Sequence, residues 1–242
     1  MRITRLHVEN LRCLVQVELE PAPGLNLIAG CNGAGKTSVL EAMHLLAYGR
    51  SFRGSVREGV LRAGESTLRV FAEVESETAG RSRLGLERGA RDWVARCNGD
   101  ALTSLSQLYD RFAMVCFEPG SHALIGGASE QRRRFLDWGV FHVEPRFLPA
   151  WRRYQRALRQ RNVLLKQDGC LPASLEPWDV ELAAAGEELT TFRCAYLERL
   201  IPQVERSAAQ FVPELGPPQV AFSRGWAVHA ESLLGALQSQ RR

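Results

Sequence analysis

The stretch Gly30-Cys31-Asn32-Gly33-Ala34-Gly35-Lys36-Thr37 fits G-x-x-x-x-G-K-[ST] in full. Glycines let the backbone curl so that successive N–H groups point inward at an anion. The lysine of the pattern reaches the outer phosphates of a nucleotide, and the hydroxyl after it can ligate Mg2+. A helix starting there adds the partial positive charge of its N-terminus. At average residue frequencies the pattern arises by chance in such a chain on the order of one time in a hundred. A glycine-rich turn that binds nothing has no need of Lys36 and Thr37. The loop, with Ser38 beside it, is therefore expected to hold ATP, and Thr37 its Mg2+. Of 31 basic residues only two are lysines, Lys36 and Lys166, so one of the two stands where a phosphate loop requires it.

The flanking sequence suits such a loop. Val15, Val17 and Leu19 alternate with polar residues, the period of a half-buried strand, and Pro21-Ala22-Pro23-Gly24 breaks it. Leu25 to Ala29 reads as a short buried strand running into Gly30. Lys36 to Tyr48 reads as a helix with Val39, Leu40, Met43, Leu46 and Ala47 inward, closed by Gly49. Further strands are expected over 68–74, 83–86 and 93–97, with Asn98-Gly99 as a two-residue hairpin turn. Arg111 to Phe117 is apolar enough to predict a central strand.

From Glu130 to Phe211 the pattern turns helical, with breaks at Pro145, Pro149 and the loop Gln167–Pro177. Phe147, Trp151, Tyr154, Leu158 and Leu165 predict the buried face of one helix. Trp178, Leu182, Ala185, Leu189, Phe192 and Tyr196 form a coiled-coil-like seam on a second. The two predict an antiparallel arm. From Arg146 to Lys166 there are seven basic residues and no acidic one. Arg152, Arg153, Arg156 and Arg159 cluster away from the apolar face. They suit a DNA backbone, read by charge rather than by base, or equally a solvated surface. Arg132-Arg133-Arg134 fits DNA or pairing with acids in the head.

Net charge is only +4, so the chain as a whole is not a strongly basic nucleic-acid binder. No apolar run approaches a membrane span and the N-terminus lacks a signal segment, which predicts a cytoplasmic protein. Six scattered cysteines without a CxxC pair offer neither a disulfide framework nor a zinc site.

Pro23 to Ile28, Asn32 to Ala42 and Gly49-Arg50-Ser51-Phe52-Arg53 resemble the bacterial RecF family. So do Arg132-Arg133-Arg134-Phe135-Leu136-Asp137 and Tyr154 to Asn162, and the likeness spans nearly the whole chain. The resemblance implies an α/β fold: a P-loop, ABC/SMC-like ATPase head, here incomplete, with an inserted helical arm lobe. The head portion falls at 1–128, the arm at 129–212, and a segment returning toward the head begins at 213–242. The resemblance implies DNA repair, replication and recombination, with RecO and RecR placing RecA on single-stranded or gapped DNA, support of the SOS response, and an ATP-dependent homodimer. It puts Asn10 and Arg12 near the nucleotide, whereas the residues alone read Arg12 equally as a surface charge at a strand end. Glu118-Pro119-Gly120-Ser121-His122 departs from the acidic stretch common in the family.

Heads of this kind also need a Leu-Ser-x-Gly-Gln-type signature and a Walker B strand ending in paired acids. Neither is found up to Arg242, so the chain is expected to be the front part of a longer protein and to hydrolyse ATP barely or not at all. One rival reading uses Phe112 to Glu118 as a Walker B strand, making the chain a compact P-loop NTPase or kinase with Glu118 on Mg2+.

Overall fold

A computed structural model of the chain describes residues 1–53, 59–77, 80–89, 92–167, 171–226 and 230–239. Residues 168–170 of the expected loop Gln167–Pro177, Cys170 among them, lie outside the described residues. The chain forms two compact units, Met1–Glu118 and Pro119–Arg242.

The first unit is built on a six-stranded sheet of order β2-β1-β3-β4-β5-β6, antiparallel throughout. Its strands are β1 (Arg2–Leu11), β2 (Leu14–Leu19), β3 (Leu68–Ser76), β4 (Gly80–Arg88), β5 (Trp93–Cys97) and β6 (Asp100–Ala101). Side chains alternate as pleating requires. Leu6, Val8, Val70, Ala72, Val74, Leu84, Leu86, Ala95 and Cys97 enter one core, and their neighbours carry charge to the other face. There Arg69 pairs with Glu9 and Glu87, and Arg83 with Glu73. Such exposed pairs add little, about 0–1 kcal/mol each. The expected strands at 68–74, 83–86 and 93–97 are present. Asn98 and Gly99 turn β5 into β6 with φ of 53° and 97°, as that turn demands.

Helix α1 (Lys36–Tyr48) follows the phosphate loop, and α2 (Leu105–Asp110) packs near its end. Gly49 ends α1 at φ 63°, its N–H donating to the Leu45 carbonyl. A side chain there would also collide with the Tyr109 hydroxyl. Val39, Leu46 and Ala47 are buried as expected, together with Ala42, Leu45 and, against its polarity, Glu41. Leu40 instead points outward, 46% exposed.

Two expected strands are absent. Leu25 to Ala29 carries no ladder, with Leu25 98% and Leu27 89% exposed. Residues 112–117 carry no ladder either, with Phe112 and Met114 packed inward and Val115 and Phe117 exposed. A strand exists only where a neighbour takes its backbone N–H and C=O groups. Among the described residues no strand pairs with either segment, and the Met114 carbonyl instead accepts from the Tyr48 hydroxyl. Asn26 instead closes the turn after Pro21, bonding the backbone of Ala22 and Gly24.

The second unit is helical: α3 (Ala123–Gly126), α4 (Ser129–Val143), α5 (Phe147–Leu164), α6 (Pro172–Phe211) and α7 (Leu233–Ser239). Helices α5 and α6 are antiparallel, since Arg153 reaches Glu188 while Arg161 reaches Asp179. The seam Leu182, Ala185, Leu189 and Phe192 is buried as expected. The expected face of α5 is displaced. Phe147, Ala150 and Ala157 are buried with Tyr154 partly so, whereas Trp151 and Leu165 are 38% and 48% exposed. The small alanines let the two helices approach closely, and bulk belongs on their flanks. Two prolines do not break helices where expected. Pro149 sits in the first turn of α5, where no N–H is needed, and α6 begins at Pro172 and continues through Pro177. Gly139 and Gly186 are close-approach points, where an added side chain would meet Tyr196 and Leu233 respectively. Among the described residues no helix is long and apolar enough to cross a membrane.

Candidate nucleotide site

Residues 32–35 turn without regular structure into α1, with Gly30, Gly33 and Gly35 at φ of 154°, 84° and 93°. Gly35 is the residue before the helix, and the first helical bond runs from the Val39 N–H to the Gly35 carbonyl. The N–H groups of Lys36, Thr37 and Ser38 therefore lack partners in the preceding turn, which is what an anion at a helix N-terminus uses. Residues 30–34 are exposed, Lys36 and Thr37 are half-buried and Ser38 is buried. Lys36 Nζ donates to the carbonyls of Gly30 at 2.7 Å and Cys31 at 2.8 Å, so the ammonium lies folded across the mouth of its own loop. These partners are the loop's own backbone, and a phosphate offers a stronger acceptor for the same three-proton donor.

The hairpin joining β1 to β2 packs against this loop. Its turn residues are Arg12 and Cys13, with Asn10 and Arg12 both in the left-handed region at φ 54° and 55°. Cys13 Sγ stands 3.9 Å from Ser38 Oγ, and a side chain at Gly35 would run into Leu14. Asn10 Nδ2 donates to the Thr67 carbonyl and to Glu65, and the Arg12 N–H to the Val60 carbonyl, so the hairpin also holds the 60–67 segment.

Arg12 is not a surface charge at a strand end. Its Nε and Nη2 donate to the two oxygens of Glu41 at 3.0 and 2.7 Å, a bidentate pair whose carboxylate is fully buried. Ser51 Oγ donates to the same carboxylate at 2.5 Å, and Arg53 approaches it at 4.0 Å. Burial alone would push the Glu41 pKa up. The hydrogen bonds from Arg12 and Ser51, with the charges of Arg12 and Arg53, outweigh it and hold the group below its ordinary value. Burial, by contrast, pushes neighbouring His44 down. Glu41 is not among the site residues that the sequence suggests. Its only trace there is a charged residue on the apolar side of α1.

Glu118, the rival Mg2+ ligand, ends the stretch 112–118, which carries no ladder. Its charge acts on His44 and Cys116. His44 lies seven residues beyond Thr37, roughly 10 Å along the helix. Among the described residues no group of three or more His, Cys, Asp or Glu side chains could hold a metal ion.

The arginines of α5 are less free than their sequence suggests. Arg153 pairs with Glu188 and Glu181 of α6, and Arg159 donates to the Gln155 carbonyl. Arg152 and Arg156 are exposed. Of the arginine triplet, Arg133 and Arg134 pair with Glu130 on their own helix, while Arg132 caps the carbonyls of 124, 125 and 127.

A family model described as an AAA domain matches residues 5–101. The DNA replication and repair protein RecF of Stenotrophomonas maltophilia is 52% identical over 98% of the chain and 66% of its own length. RecF of Pseudomonas putida is 43% identical over 93% of the chain and 62% of its own length. A solved structure of the recombination mediator protein RecF-ATP in the RecFOR pathway superposes with a TM-score of 0.79 at 28% identity, covering 87% of this chain and 58% of that one. The chain thus spans just under two thirds of the curated relatives it matches. Sequence likeness along almost its full extent, on the fold of a solved relative, places the chain in the RecF family of DNA replication and repair proteins.

Proposed function

We propose that this chain binds ATP through Gly30–Ser38 and serves DNA repair as part of a RecF-type recombination mediator. The observation that carries the reading is the loop itself: three positive-φ glycines, a free helix start and Lys36 poised over it. In this reading the N–H groups of residues 33–38 bind the phosphates and Lys36 leaves its two carbonyls for the outer phosphates. The Thr37 hydroxyl would hold Mg2+, which neutralises phosphate charge. Asn10 and Arg12 line the nucleotide from the hairpin side.

In this reading 1–128 is the head portion, 129–212 a helical arm inserted in it, and 213–242 a segment returning toward the head. The working protein is an ATP-dependent homodimer in the cytoplasm, acting with RecO and RecR to load RecA on gapped DNA and to support the SOS response. The relatives favour this reading over a compact NTPase or kinase using Glu118.

Two experiments bear on it. A phosphate-release assay is expected to find near-background turnover by this chain, with or without DNA, because the sequence shows no signature motif and no paired Walker B acids to position water. Strong Mg2+-dependent turnover that disappears in Glu118→Gln establishes the compact enzyme instead. For DNA, changing Arg152, Arg153, Arg156 and Arg159 to glutamine is expected to weaken duplex binding equally across sequences. The slope of log affinity against log salt should flatten by about 0.9 for each phosphate that is no longer neutralised. Unchanged binding at every salt concentration places the DNA site elsewhere.

A further inference from the structure

A fully buried carboxylate inside the helix behind a phosphate loop demands a reason. At position 41 an apolar side chain would pack as Ala42, Leu45 and Leu46 do, without taking a charge out of water. Glu41 instead uses both oxygens on Arg12, accepts Ser51 and lies near Arg53. Ser51 Oγ in turn accepts the Arg53 N–H. One carboxylate thereby joins three segments: the tip of the β1–β2 hairpin, the middle of α1 and the chain just after Gly49. The hairpin tip is itself in contact with the loop, through Cys13 at Ser38 and Leu14 at Gly35.

We propose that Glu41 is a positioning residue for nucleotide binding: it fixes the Arg12 guanidinium, and with it the wall formed by residues 12–14, against the phosphate loop. The proposal rests on the ATP-binding reading above. An arginine in the left-handed region on a two-residue turn has many side-chain conformations open to it. The bidentate clamp selects one, because a planar fork meets a carboxylate in a single plane. Glu41 is fully buried behind the loop, so its effect on the nucleotide runs through Arg12.

A double-mutant cycle separates this from a merely structural carboxylate. Affinity for a fluorescent ATP analogue with Mg2+ is measured for the parent, Glu41→Gln, Arg12→Met and the double variant, with circular dichroism melts showing that each is folded. Glu41→Gln and Arg12→Met are each expected to weaken binding about tenfold, and Glu41→Gln to cost nothing further once Arg12 is gone. Arg12→Lys keeps the charge but not the fork, and it is expected to weaken binding as well. Should Glu41→Gln fail to fold, Glu41→Met with Arg12→Met replaces the pair by apolar groups. It is then expected to bind as Arg12→Met alone does. An equal loss from Glu41→Gln in both backgrounds, or parental affinity in Arg12→Lys, overturns the proposal while leaving ATP binding intact. A folded parent that does not bind the analogue overturns both.

Discussion

Lys36→Ala is expected to lower affinity for MgATP about 100-fold while shifting stability by no more than about 0.5 kcal/mol. The asymmetry follows from what Lys36 touches. In the structure its ammonium donates to the carbonyls of Gly30 and Cys31, both in exposed residues. Water replaces those bonds at little cost when the side chain is removed. With nucleotide bound, the same ammonium faces phosphate oxygens, where charge-assisted bonds are roughly twice as strong as neutral ones. Calorimetric titration of both proteins, with parallel thermal melts, checks it. Equal affinities would remove Lys36 from the site, and a large loss of stability would mean that its contacts within the loop are structural.

Asp179→Ala is expected to be the most damaging single change in the helical unit, costing about 3–5 kcal/mol and lowering its melting point on the order of ten degrees. Asp179 is fully buried on α6 and accepts from Arg161 Nε of α5 at 2.6 Å, with that arginine only 13% exposed. Truncating the acid leaves a guanidinium out of water without its partner. Replacing both, as Arg161→Met with Asp179→Leu, is expected to recover most of the loss, because an apolar pair carries no desolvation penalty. Urea unfolding followed by helical circular dichroism reads both variants. A single variant as stable as the parent would show that water or another group already satisfies Arg161.

What is legible in the sequence is local. The glycine–lysine pattern, the helix from Lys36 to Tyr48 with Gly49 closing it, and the Asn98-Gly99 turn depend on residues within a few positions of one another. So does the Leu182–Phe192 seam. The features that escape a sequence reading depend on partners distant in the chain. Leu25–Ala29 and Arg111–Phe117 have the composition of strands, but no neighbour among the described residues completes them. The buried face of α5 is centred on small side chains rather than large ones, because Ala150 and Ala157 permit the close approach of α6. The Arg12–Glu41 pair joins residues 29 apart in sequence, and no spacing rule reaches it. Arg153 likewise looks unopposed along its own helix until α6 brings Glu188 alongside.

The most direct measurement of the central claim is amide hydrogen exchange over residues 28–40, with and without MgATP. If the loop holds the phosphates, the amides of residues 33–38 become strongly protected on adding nucleotide, and the 12–14 turn slows with them. Lys36→Ala should show no such change at the same ATP concentration. Nucleotide binding that leaves exchange across 33–38 untouched would contradict the account and place the ATP site elsewhere in the chain.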